Sequence, residues 1–352
     1  MNIPELYTEE IAVSEPYRAL YVESVKKAID TLATLSNEER NSFITPEKLR
    51  DDPSFYRQSY ADLIGLTRLN EVFGDGIPRI YETPHAEDSL AWISRLKIEL
   101  AEGIFFTGIL FIPKNATAPY SLTVASHGGG GSPELCADMI GPNNYSHLVR
   151  KLLSAGEAVF APQLMLWNLS PRLCGTNIPQ YSTSYDRGHS ERAFKQCGTS
   201  IVAFEIYAIT RTATALLARE NIRSDGYRMT GLSYGGFYTL YTMAYDTRIH
   251  SGYSVAYFND KFRYNWHDMI WMNSGARFTD VEIAALCAPR ALRIEIGRTD
   301  PVFEATTAEP LFPAVRAYFR AQNAEDQLSI NLWDGGHRYD AESDGMEFFL
   351  SH

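Results

Sequence analysis

The residues best suited to chemistry stand in the pentapeptide Gly231-Leu232-Ser233-Tyr234-Gly235. A serine hydroxyl is a weak nucleophile, so a catalytic serine needs exposure, a base, and donors for the charge that develops on the attacked carbonyl. A sharp strand-to-helix turn supplies the exposure. Its strained backbone leaves no room for side chains two residues to either side, which is a reason for glycine at 231 and 235. The alternative is a plain glycine turn. The flanks favour a nucleophile: "GYRMTGLS" reads as a strand and "YGGFYTLYTMAYD" as a helix, whose first N–H groups would favour an anion.

Donors for that anion are expected at His127-Gly128-Gly129-Gly130-Gly131, after the apolar run "YSLTVAS". The Lys-Ser/Thr of a phosphate loop is missing, which argues against a nucleotide. Glycines there let backbone N–H groups approach a substrate oxygen. Gly129 or Gly130, with the N–H of Tyr234, form the expected oxyanion hole, each donor contributing about 3 kcal/mol to the transition state. His127 itself reads as structural. On such an elbow the partners follow the serine as acid, then histidine. Of eight histidines, His267, His337 and His352 lie well beyond Ser233. His352 ends the chain and His267 is set aside on its place in it. His337, in "LWDGGHRYD", follows a strand pattern and is the expected base. Asp300, in "RALRIEIGRTDPVFE", sits after another strand and is the expected acid, with Glu304 and Asp260 as competitors and Asp334 read as a turn residue.

These groups need a sheet to carry them. "SRLKIEL" and "GIFFTGILFIP" read as paired strands, and "YSLTVAS", "EAVFAP", "GYRMTGLS", "HSGYSVAYF", "RALRIEIG" and "LSINLWD" as further strands. Between and after them, "HLVRKLLSAG", "TSIVAFEIYAITRTATALLAREN", "YGGFYTLYTMAYD", "VEIAALC", "LFPAVRAYFRAQN" and "AESDGMEFFLS" read as helices. Alternation of this kind predicts an α/β, mostly parallel, doubly wound sheet with helices on both faces and an antiparallel start. Residues 1–90 read as a helical extension packed on the catalytic domain of residues 91–352. Residues 163–198 and 258–275 read as lid insertions. There, Trp167, Arg172, Tyr185, Arg187 and Trp266 are candidates to stack on a sugar ring or hold a carboxylate.

Composition narrows the class. Hydrophobic residues at 45% and charged residues at 21% fit a globular core. The net charge of -11 argues against nucleic-acid and anionic-membrane partners. Cys136, Cys174, Cys197 and Cys287 lack metal spacing and read as reduced thiols. No apolar run is long enough to cross a membrane and the N-terminus lacks a signal-peptide pattern, so a cytoplasmic protein is expected. A small-molecule ester is the expected partner, with a homo-oligomer left open.

The segments "LFIPKNATAPYSLTVASHGGGG", "GLSYGGFYTLYTMAYDTRI", "IAALCAPRALRIEIGRTDPVF" and "DGGHRYD" together resemble the α/β-hydrolase superfamily. More narrowly they are similar to its acetyl xylan esterase and dienelactone hydrolase-like group, over residues 90–350. "YDRGHSERAFKQCG" also resembles that group's segment ahead of the long helix. The resemblance implies an acyl hydrolase with Ser233, Asp300 and His337 as triad, no cofactor and no metal. Dienelactone hydrolase proper uses cysteine where this chain has Ser233. The expected reaction is cleavage of an ester of a small acylated carbohydrate or related metabolite. A C–C or amide bond, or a non-catalytic binding protein with the fold, are the alternatives.

Overall fold

The computed structural model describes residues 6–141, 144–165 and 186–352. Nine strands form one sheet in the order β1-β2-β3-β5-β4-β6-β7-β8-β9. They are β1 (Arg79–Glu87), β2 (Ala91–Ala101), β3 (Ile104–Pro113), β4 (Leu122–Ser126), β5 (Ala158–Pro162), β6 (Tyr227–Leu232), β7 (Ile249–Val255), β8 (Ala291–Gly297) and β9 (Leu328–Trp333). The pairs β1–β2, β2–β3 and β3–β5 are antiparallel and the rest are parallel. This is the α/β architecture expected from the alternating pattern. The parallel strands β4, β5 and β8 are buried at every position, which is why they read as continuous apolar runs rather than alternating ones.

Two apolar cores lie on opposite faces of the sheet. The helices Ile201–Leu217, Tyr234–Tyr245, Asp280–Cys287 and Phe312–Ala321 cover one face; Leu148–Ser154 and Gly345–Ser351 cover the other. The chain runs β4, β5, then returns past β4 to β6, so β4 and β6 are neighbours although β5 separates them in sequence. Such a reversal opens a crevice at the carboxyl ends of the two strands, where ligands of open α/β sheets bind.

The N-terminal region differs from its expectation in two ways. Its helical part ends at Phe73, and residues 79–87 form β1, an edge strand of the sheet. The short apolar alternation there is too weak to be read without β2 beside it. The helices Pro46–Asp51, Pro53–Ile64 and Leu66–Phe73 do pack on the core, where the Tyr60 hydroxyl donates to the Tyr241 carbonyl at 3.0 Å. Gly65 is needed at that junction: its φ is +83°, and a Cβ would stand 2.3 Å from Thr199 Cα. The preceding helix, Ile11–Phe43, has no buried residue. Its apolar spacing is helical, yet most of that face meets no other described residue.

No single described helix is long and apolar enough to cross a membrane. Arg187–Gln196 and Ile201–Leu217 reach that length and apolarity only together, as a pair bent by 92°, and 14 of the 17 residues of the second are buried in the core.

Candidate active site

The crevice between β4 and β6 carries Ser233. Its backbone has φ 60° and ψ −119°, a conformation that strains any residue with a Cβ. Two bonds hold it: the Ser233 N–H donates to the Val255 carbonyl at 2.8 Å, and its carbonyl accepts from Phe237 N–H at 2.9 Å. Side chains are excluded around it by backbone, not by taste. A Cβ on Gly235 would stand 2.1 Å from the Ser126 carbonyl oxygen, and one on Gly231 2.5 Å from the Gly235 carbonyl. The chain thus turns from β6 into the helix Tyr234–Tyr245 within one residue.

Register sets the glycine loop beside it. Ser126 on β4 pairs with Gly231 on β6, so His127 and the glycines leave the sheet next to Ser233. A Cβ on Gly128 would meet Leu232 O at 2.8 Å and Ser233 Cβ at 3.1 Å. The loop closes as a turn, Gly131 N–H to Gly128 carbonyl at 3.1 Å, with Gly130 at φ 67°. Gly128 spends its N–H on the Tyr145 hydroxyl at 2.8 Å. The N–H groups of Gly129 and Gly130 donate to no atom among the described residues. His127 is fully buried. Its Nε2 accepts from Leu164 N–H at 3.0 Å and its Nδ1 donates to the Gly128 carbonyl at 2.9 Å. Burial pushes its pKa down to about 4, so a neutral imidazole ties the loop to the chain following β5.

His337 and Asp300 meet at the same edge. The His337 Nδ1–H donates to Asp300 Oδ2 at 2.8 Å. Asp300 Oδ1 accepts from the N–H groups of Val302 at 2.8 Å and Phe303 at 3.1 Å, so both carboxylate oxygens are held. The pairing depends on Gly297 at the end of β8, where a Cβ would lie 2.2 Å from the Gly335 carbonyl oxygen. Glycine lets the loop after β9 pass close enough for His337 to reach across. Asn144 Nδ2 donates to the His337 carbonyl at 3.0 Å, and the Phe303 ring lies 6.1 Å from the imidazole.

The competing acids are committed elsewhere. Glu304 pairs with Arg263 at 3.1 Å, Asp260 Oδ1 accepts from Phe262 N–H at 2.9 Å, and Asp334 is almost wholly exposed near Arg298. His267 and His352 are exposed. Among the described residues, Asp300 is the acid bonded to the His337 ring.

Of the candidate substrate residues, Trp167, Arg172 and Tyr185 lie outside the described residues. Trp266 is partly buried, 5.7 Å from the Tyr234 ring and 5.2 Å from the Phe303 ring, and so bridges the nucleophile side and the histidine side. Arg187 is a correction. Its side chain is 2% exposed and its donors are spent inside the protein, so it does not reach a substrate. Nε donates to Asp268 Oδ2 at 2.6 Å, Nη1 to Glu205 Oε2 at 3.0 Å and to the Met165 carbonyl at 2.6 Å, and Nη2 to the Tyr238 hydroxyl at 2.8 Å.

That buried cluster is the part of the site the sequence reading missed. Asp268 also accepts from the Tyr234 hydroxyl at 3.0 Å, and the Arg187 guanidinium lies 5.3 Å over the Tyr234 ring. Burial works against the arginine's charge, but Tyr238, Glu205 and Asp268 more than offset it and hold the guanidinium ionised. Burial likewise pushes the Tyr234 hydroxyl up, with Asp268 adding to it. One signal was present: Glu205 is a lone carboxylate in the apolar run "IVAFEIYAIT", and a buried carboxylate requires a partner. Among the described residues no cluster could hold a metal ion, and Cys136, Cys197 and Cys287 are free thiols.

No family model matches the chain, and no curated protein matches it in sequence. Solved structures do match in shape. Acetyl xylan esterase 1 from Thermoanaerobacterium sp. JW/SL YS485 is 16% identical, with a TM-score of 0.57 over 88% of this chain and 98% of that one. A glucuronoyl esterase from Solibacter usitatus is 12% identical, with a TM-score of 0.57 over 85% of this chain and 92% of that one. A promiscuous CE15 esterase from a marine bacterial metagenome is 14% identical, with a TM-score of 0.59 over 87% of this chain and 91% of that one. At such identities the likeness is one of fold. The sheet order, the strained serine elbow at its crevice and these matches together make the chain an α/β-hydrolase in fold.

Proposed function

We propose that the chain is a serine carboxylesterase acting on an ester of a small acylated carbohydrate or related metabolite. The observation that carries this reading is the His337–Asp300 bond at the carboxyl edge of the sheet that also bears the strained Ser233. The structural neighbours are esterases, and this supports the reaction class.

In this reading Ser233 Oγ attacks the ester carbonyl and His337 Nε2 takes its proton. Asp300 keeps the Nδ1–H tautomer in place and stabilises the imidazolium. The negative oxygen is held by the N–H of Tyr234 and of Gly129 or Gly130, at the start of the helix Tyr234–Tyr245. Proton return from His337 releases the alcohol. The same imidazole then activates water, and the acyl group leaves Ser233 as the acid. With Arg187 occupied internally, Trp266 is the described candidate for stacking on the sugar ring.

A fluorophosphonate should label the protein at Ser233, and p-nitrophenyl acetate should be hydrolysed. Ser233→Ala should lose both. Hydrolysis at the wild-type rate in Ser233→Ala would overturn the mechanism, and labelling without hydrolysis of any simple ester would move the reading to an amide or C–C bond.

A further inference from the structure

Among the described residues, the helix Ile11–Phe43 is anchored near its end. Arg40 pairs with Glu282 at 3.3 Å, and the Phe43 ring lies 5.7 Å from that of Phe278. About 20 residues before that anchor stand clear of the other described residues, a rod of roughly 30 Å at the rise of an α-helix. Tyr21, Val25, Ile29, Leu32 and Leu35 form one stripe along it, all exposed, while Glu23, Lys27, Asp30 and Thr34 lie opposite. Helices of globular proteins draw their stability from the packing of such a stripe, and an apolar patch of this extent marks an interaction surface.

The geometry points to a second copy of this chain as the occupant, its own Ile11–Phe43 helix packed antiparallel against this one. The stripe follows the alternating three–four spacing of a helix pair: Arg18, Tyr21, Val25, Ala28, Leu32, Leu35. In the antiparallel register Tyr21 meets the partner's Leu32, Val25 meets the partner's Ala28 and Arg18 meets the partner's Leu35, with the partner's Glu38 about one turn further along. A two-fold axis repeats each pair, so the assembly closes as a dimer. A parallel register instead stacks Arg18 on Arg18 and Glu39 on Glu39, like charge on like. Burying the stripe on both copies removes on the order of 1,000 Å² from water, the lower threshold of a specific interface. A lipid surface is the poorer occupant, because the polar side mixes Glu23 and Asp30 with Lys26 and Lys27 and the chain carries a net charge of -11.

The same register carries the partner's first helical turns alongside Leu35–Ser42. There a cavity of about 240 Å³ opens between this helix and residues 258–275, lined by Ser36, Phe262, Ile270 and Trp271. The segment that holds Trp266 over the candidate site is thereby braced by the partner copy. This inference does not depend on the esterase reading.

Light scattering of the full chain after gel filtration should give twice the monomer mass, and Val25→Glu/Leu32→Glu should give the monomer with an unchanged melting temperature of the body. Orientation is read by cysteines under oxidation. Tyr21→Cys/Leu32→Cys should form a covalent dimer, while Leu32→Cys alone should not. A monomeric wild type, a dimer that survives the double glutamate variant, or cross-linking by Leu32→Cys alone overturns the proposal. So does a wild type that binds phosphatidylcholine or phosphatidylserine vesicles as a monomer.

Discussion

At the scale of single residues, Asp300 shows what a good position demands. One oxygen is bound by two backbone N–H groups and the other by His337, so the carboxylate cannot rotate away from the ring. Asp300→Asn keeps an oxygen for the two amides but offers an NH₂ where His337 Nδ1–H needs an acceptor. The imidazole must then take the wrong tautomer or turn. The expected outcome is a fall in kcat on the order of 10³-fold or more, with KM and thermal stability little changed. Steady-state kinetics with p-nitrophenyl acetate checks it, and a loss below tenfold would remove Asp300 from the proposed triad.

Among elements, the helix Arg187–Gln196 and the segment 258–275 are joined to the helix Tyr234–Tyr245 by buried charge as well as by apolar contact. Arg187 binds Asp268 and Glu205, and Asp268 binds Tyr234. Lys261 adds a second tie, paired with Asp280 at 3.2 Å and ringed by Phe237, Tyr241 and Tyr257. Breaking a buried pair costs more than never having made it, because the remaining charge has lost its water. Arg187→Met leaves two buried carboxylates without their cation, and should lower unfolding free energy by about 3–5 kcal/mol. Urea denaturation measures it; a change under about 1 kcal/mol would mean that water or another cation fills the gap.

For the whole molecule, buried histidine sets a pH limit. His127 has its pKa pushed from 6.5 down to about 4 by burial. The unfolded chain therefore binds that proton first as pH falls. Stability is full above pH 6.5, declines between about 6.5 and 4, and is level below for this group. Over that window the loss is on the order of 3 kcal/mol. His250, half-buried and also lowered to about 4 mainly by burial, adds to the same slope. Urea unfolding at pH 7 and pH 5 should show the decline, and His127→Gln should reduce it. An unchanged slope in that variant would place the sensitivity elsewhere.

Much of this was legible in sequence because it is local. Gly231, Ser233 and Gly235 report a turn whose sterics lie within five residues, and the buried strands announce themselves as apolar runs. Asp300 and His337 were legible through chain order, since each follows a strand that ends at one edge. The helix Ile11–Phe43 was legible as a helix, but the exposure of its apolar stripe was not. Only the tertiary structure decided that Arg187 turns inward to Asp268 and Glu205, that residues 79–87 join the sheet as β1, and that most of the first helix stands clear of the other described residues. The reason is physical: spacing along the chain determines which residues share a face, whereas burial, charge pairing and strand register depend on what another part of the chain brings to that face.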